Sequence, residues 1–83
     1  MTTGQTLQAL RKKKGDSLNR VAGRADLSTS VLFNAERDRK RITLDTLTKI
    51  VELGLGISMV EFFVAMERGR GARLERKARK AAA

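Results

Sequence analysis

Apolar positions along this chain recur every three or four residues, in five short runs separated by polar turns. That spacing predicts a succession of amphipathic helices. The first runs from about Thr3 to Gly15, a residue suited to the left-handed position after a helix. Its stripe is thin, only Leu7 and Leu10 with Arg11 beside them. Ser17 is a natural N-cap for the second helix, which turns Leu18, Val21, Ala22 and Ala25 inward and Asn19, Arg20, Gly23 and Arg24 outward. The small Ala22 and Ala25 imply that another helix crosses there at close range. Asp26-Leu27-Ser28 breaks the run, with Leu27 directed to the core and Ser28 capping the third helix.

At about 100° per residue the third helix divides into two faces. Val31, Leu32, Ala35 and Glu36 share one arc. Thr29, Ser30, Phe33, Asn34 and Arg37 share the opposite one. A charged loop, Asp38-Arg39-Lys40-Arg41, then leads through Ile42 to a Thr43 cap. Leu44, Leu47, Ile50 and Val51 line one side of helix four, and Gly54-Leu55-Gly56-Ile57 reads as a turn. Ser58 through Glu61 fits a capping box that opens helix five. That helix has two apolar stripes. Met59, Phe62, Phe63 and Met66 suit the core, while Val60 and Val64 lie on an adjacent face. Either a C-terminal segment folds back over that face or a second copy of the chain does. The second arrangement makes Met59, Val60, Phe63 and Val64 a homodimer interface.

Composition narrows the chemistry. Eighty-three residues make one domain with a modest core, near the size where burial only just offsets chain entropy. Eighteen Lys and Arg against nine Asp and Glu give a net charge of +9, the footprint of a polyanionic partner. Without Cys or His there is no disulfide framework and no expected metal site, and the usual nucleophiles and proton shuttles are missing. No catalytic residue and no cofactor are expected. No apolar run approaches the ~20 residues of a membrane span, and the polar N-terminus has no signal-peptide core. We therefore expect a soluble, cytoplasmic, nucleoid-associated protein. Arg68, Arg70, Arg73, Arg76, Lys77, Arg79 and Lys80 outnumber Glu67 and Glu75, so more than half of the excess positive charge sits near the C-terminus. The expected division is a folded domain over 1–67 and a basic tail, flexible or helical, over 68–83.

Leu10-Arg11, Ser17-Leu18 with Val21-Ala22, Leu27-Ser28, Leu32 with Ala35-Glu36, Leu44-Asp45-Thr46-Leu47 and Phe62-Phe63 follow one another in a familiar order. The set resembles the lambda-repressor-like helix-turn-helix domains of the Xre/Cro/C1 type, over roughly residues 5–66. The run Glu36-Arg37-Asp38-Arg39-Lys40-Arg41-Ile42-Thr43 is also similar to the small restriction–modification controllers within that family. Single-domain antitoxins and phage-type repressors share the outline. The resemblance implies an all-α, compact five-helix fold. It also implies a bridge from Arg11 to Glu36, whose carboxylate on the buried arc needs a cation. Three positions depart from the pattern. Asp26 and Asp38 stand where the family usually has Gly, at positions that tend to need positive φ. Phe33 stands where a small polar residue is commoner.

In such domains the third helix enters the major groove of double-stranded DNA. The resemblance then makes Thr29, Ser30, Phe33 and Asn34 base readers, with Phe33 free to meet a thymine methyl or to fold back onto the turn. Phosphate contacts fall to Arg37, Arg39, Lys40 and Arg41, with Lys40 or Arg41 able instead to reach a base beyond the helix end, and to Ser17, Leu18 and Asn19 at the start of helix two. The Arg11-Lys12-Lys13-Lys14 run is open to two roles, compensation of the helix dipole or phosphate contact. The expected function is a sequence-specific transcriptional regulator, homodimeric on a pseudo-palindromic operator. Two alternatives stay open. One is an antitoxin or adaptor whose main partner is a protein; the other is a nonspecific nucleic-acid binder driven by its tail.

Overall fold

The computed structural model describes residues 2–69, all of them helical or in short connections. The expected basic tail therefore lies, from residue 70 onward, outside the described residues. Helix α1 spans Thr3–Lys14, α2 Leu18–Arg24, α3 Thr29–Glu36 and α4 Leu44–Thr48. Helix α4 runs on as a π-helical segment, Lys49–Leu55, and α5 covers 59–69.

Hydroxyl caps start each helix, because the first N–H groups of a helix have no partner within it. Ser17, Ser28 and Thr43 accept from the backbone N–H of Arg20, Val31 and Thr46. Ser58 does the same for Glu61 at 3.1 Å. A capping box between Thr2 and Gln5 opens α1. Gly15 closes α1 and Gly56 closes the π-helical segment, at φ 73° and 71°.

Leu7, Val21, Ala22, Leu32, Ala35, Ile50, Val51, Leu55 and Phe62 form one core among the described residues. Leu27, Ile42, Leu47, Met59 and Met66 pack around it, partly buried. Thr6 is also fully buried, and its hydroxyl donates to the Thr2 carbonyl at 2.8 Å, so its polarity carries no penalty.

Four expectations from the sequence need correction. The first concerns Gly54-Leu55-Gly56-Ile57, where the helix continues to Leu55 and only Gly56 turns the chain. Gly54 serves another end: a Cβ there would lie 2.8 Å from Val21 Cγ1 and 3.1 Å from the Val21 carbonyl oxygen. It is the close crossing that Ala22 and Ala25 implied. The carbonyls ending this segment are bound by cations, Arg24 Nε donating to Gly54 at 2.9 Å and Lys14 Nζ to Leu55. Second, Leu44 is 68 % exposed, since α4 begins outside the core and only its later turns descend into it. Third, Val31 is 41 % exposed, at the rim of its arc. Fourth, Phe63 is 43 % exposed, and its ring meets the buried Phe62 ring edge-on, ring centres 5.6 Å apart.

Candidate nucleic-acid interface

Helix α3 is seated by Leu32, Ala35 and Glu36, all buried. Its opposite side is open. Thr29 and Ser30 are exposed, and Phe33 and Asn34 are half-buried. Those four side chains line one shallow depression on the surface, and Arg39 joins them from beyond the helix end. The Thr29 hydroxyl donates to Asn19 Oδ1 at 2.7 Å, which ties the start of α3 to the start of α2. The Thr29 proton is thus already committed, its oxygen remaining free to accept, while among the described residues Ser30 has no such tie.

Two links hold α3 against α1. Arg11 Nε donates to Glu36 Oε2 at 2.7 Å, and a second guanidinium nitrogen reaches Oε1 at 3.0 Å. The fork is two-pronged and nearly dry, and a third donor from Arg11 meets the Asp16 carbonyl. The hydrogen bond to Glu36 raises the Arg11 pKa above its ordinary value; partial burial opposes this and the Glu36 charge adds to it. The other link lies at the far end of α1. Asp38 Oδ1 accepts from the Gly4 N–H at 3.0 Å, and Oδ2 accepts from the Thr2 hydroxyl. A carboxylate there also complements the positive end of the α1 dipole. Gly4 makes the approach possible, since a Cβ would sit 2.5 Å from the Ala35 carbonyl oxygen and 2.6 Å from that of Glu36.

Asp26 and Asp38 both have positive φ, 57° and 55°. Past Asp38 the chain doubles back, and the Arg39 N–H donates to the Asn34 carbonyl at 3.1 Å. The guanidinium carbons of Arg37 and Arg39 lie 4.6 and 5.6 Å from the centre of the Phe33 ring. Lys40 and Arg41 stay exposed and border a neighbouring hollow with Asn34 and Thr46.

Ser17 and Asn19 are exposed at the start of α2, whereas the Leu18 side chain packs toward the core. On α5 the exposures are 72 % for Val60 and 45 % for Val64, with Phe63 next to them. Met59 turns partly toward its own core. Among the described residues no helix is long and apolar enough to cross a membrane.

A family model described as helix-turn-helix matches residues 7–62, well over half of the chain. The chain belongs to the helix-turn-helix family. It is 38 % identical over 61 residues to an immunity repressor protein of Bacillus phage phi105, an alignment covering 72 % of this chain and 42 % of that protein. The chain thus spans about two fifths of that relative's length. Among solved structures, it is similar to a point mutant of the restriction-modification controller protein C.Esp1396I. The TM-score is 0.75 at 24 % identity, over 81 % of this chain and 88 % of the controller. It is also similar to the clp gene regulator ClgR from Corynebacterium glutamicum, with a TM-score of 0.80 at 21 % identity, over 96 % of this chain and 84 % of the regulator. At these identities the two structures establish the fold, a lambda-repressor-like arrangement of five helices. The helix-turn-helix proper is α2, the Ala25–Ser28 turn and α3. It is the DNA-binding module from which the family takes its name.

Sequence reasoning missed two features of this helix-turn-helix. The Asp38 clasp joins residues 34 and 36 positions apart in the chain, which no local pattern signals. The retreat of Arg39 onto Phe33 had a weak signal, an aromatic followed within six residues by two arginines.

Proposed function

We propose that the domain is a sequence-specific DNA-binding transcriptional regulator that acts as a homodimer on a pseudo-palindromic site. The observation that carries this reading is the open strip Thr29, Ser30, Phe33 and Asn34 on a helix whose other face is locked into the core. In a helix-turn-helix that strip enters the major groove. Asn34 is assigned to a base edge, where an amide can bond adenine at two points. Ser30, and Thr29 with what its bond to Asn19 leaves free, supply hydroxyls that suit several bases. Arg37, Lys40 and Arg41 are assigned to phosphates, as are Ser17, Leu18 and Asn19 through the start of α2. Arg39 stands apart from this group because it lines the depression with Thr29, Ser30, Phe33 and Asn34.

Helix α5 supports the dimer half of the reading. Val60, Phe63 and Val64 make a contiguous exposed apolar face on a small chain, and two copies joined there would set two reading helices about one DNA turn, ~34 Å, apart. The test is selection of bound duplexes from a random pool, followed by titration of Asn34→Ala. That variant should lose about 1–3 kcal/mol at one base position and relax the preference there. Equal losses on selected and random duplex would remove Asn34 as a reader.

A further inference from the structure

Resting on the DNA-reading assignment above, we infer that Arg39 reads a guanine base, with Phe33 as the residue that positions it. Four observations converge on this role. Arg39 lines the depression formed with Thr29, Ser30, Phe33 and Asn34, which neither Lys40 nor Arg41 lines, although all three border a second hollow along the loop. Its backbone is fixed to the reading helix by the bond from its N–H to the Asn34 carbonyl, 3.1 Å. Its side chain is drawn to the Phe33 ring, 5.6 Å from the centre, where the negative face of the ring attracts a cation. Among the described residues it forms no ion pair with a carboxylate, so its donors are not committed elsewhere.

The chemistry separates a base from a phosphate. A phosphate presents acceptors over a wide range of directions and is met by a mobile cation as well as by a fixed one. Guanine presents O6 and N7 side by side in one plane and is matched by the planar fork of an arginine held at a set angle. A ring against the guanidinium leaves the N–H edge free and limits the rotation of the long side chain. The first turn of α3, Thr29-Ser30-Val31, has no Arg or Gln, so a strong base anchor must enter from outside the helix. Arg39 does so. The departure at Phe33 from a small polar residue acquires a purpose in the same step.

The experiment compares the full chain with Arg39→Lys, Arg39→Ala and Phe33→Leu, each first checked for unchanged helical content and unfolding midpoint. Each protein selects duplexes from a random pool, and each is then titrated on the wild-type site and on a site with the guanine replaced by adenine, over a range of salt. The wild type should enrich one guanine per half-site and discriminate against adenine there by about tenfold or more. Arg39→Lys should erase that preference while keeping the salt slope, because the charge remains and the fork is gone. Arg39→Ala should erase it as well, with the other positions of the motif intact. Phe33→Leu should reduce the discrimination several-fold without changing the slope. If Arg39→Ala keeps every base preference and lowers affinity alike on all duplexes, Arg39 is a backbone contact and the inference is overturned. Full discrimination in Phe33→Leu would overturn the positioning role. A wild-type protein that selects no motif at all would defeat the DNA-reading assignment itself, and this inference with it.

Discussion

Asp26 and Asp38 adopt the same left-handed backbone at nearly the same φ, yet they occupy different physical situations. Asp38 uses its carboxylate to hold the Gly4 N–H and the Thr2 hydroxyl. Asp26 has no such compensation among the described residues. The strain of a side chain in this region is on the order of 1 kcal/mol for a residue that tolerates it. Asp26→Gly should therefore raise stability by about 0.5–1 kcal/mol. Asp38→Gly removes the same strain but leaves a helix N-terminus without its acceptor, a loss of about 1–2 kcal/mol. Its net effect should be neutral to destabilising by about 1 kcal/mol. Denaturant unfolding of both variants checks the contrast, and a common sign would refute it. The positive φ at both positions was legible from the family pattern, whereas the use made of Asp38 was not, because its partners stand 34 and 36 positions away in the chain.

At the scale of elements, the helices were readable because their signals are local: a hydroxyl before each apolar run, a stripe at helical spacing, Gly15 after the last cations of α1. The errors came where tertiary contact overrode that punctuation. Gly54 reads as a turn residue in isolation but is a helix residue without a Cβ, demanded by Val21. Leu44 has the periodicity of a core residue but belongs to a first turn that lies outside the core. The candidate reading strip was legible for a simpler reason, since Leu32 and Ala35 fix which side of α3 must face away. Orientation of α3 depends on the Arg11–Glu36 fork, whose side chains are only 12 % and 4 % exposed. Breaking one side of such a pair leaves a buried charge alone, at a cost of about 3–5 kcal/mol. Arg11→Met should thus destabilise the fold by about 3 kcal/mol, and Arg11→Met with Glu36→Leu should recover most of it. A double variant no more stable than the single one would show that Arg11 matters mainly through its Asp16 contact.

For the molecule as a whole, charge and the α5 face decide how it meets its surroundings. A net charge of +9 makes any contact with DNA steeply salt-dependent. Arg41→Ala should weaken binding alike on selected and random duplex and reduce the slope of log affinity against log salt by about one unit. An unchanged slope would take Arg41 off the phosphate path. Val60→Glu should convert a dimer to a monomer in sedimentation while the helical signal persists, because Val60 is 72 % exposed and outside the core. A dimer that survives would move the self-association surface elsewhere. The two stitches from α1, one near each of its ends, reach Glu36 and Asp38 at the close of α3 and use none of Thr29, Ser30, Phe33 or Asn34. Exchanging Ser30, Phe33 or Asn34 leaves that bracket in place, and exchanging Thr29 gives up only its separate tie to Asn19. A chassis of this kind can acquire a different target by rewriting a few exposed letters, with no fresh folding problem to solve.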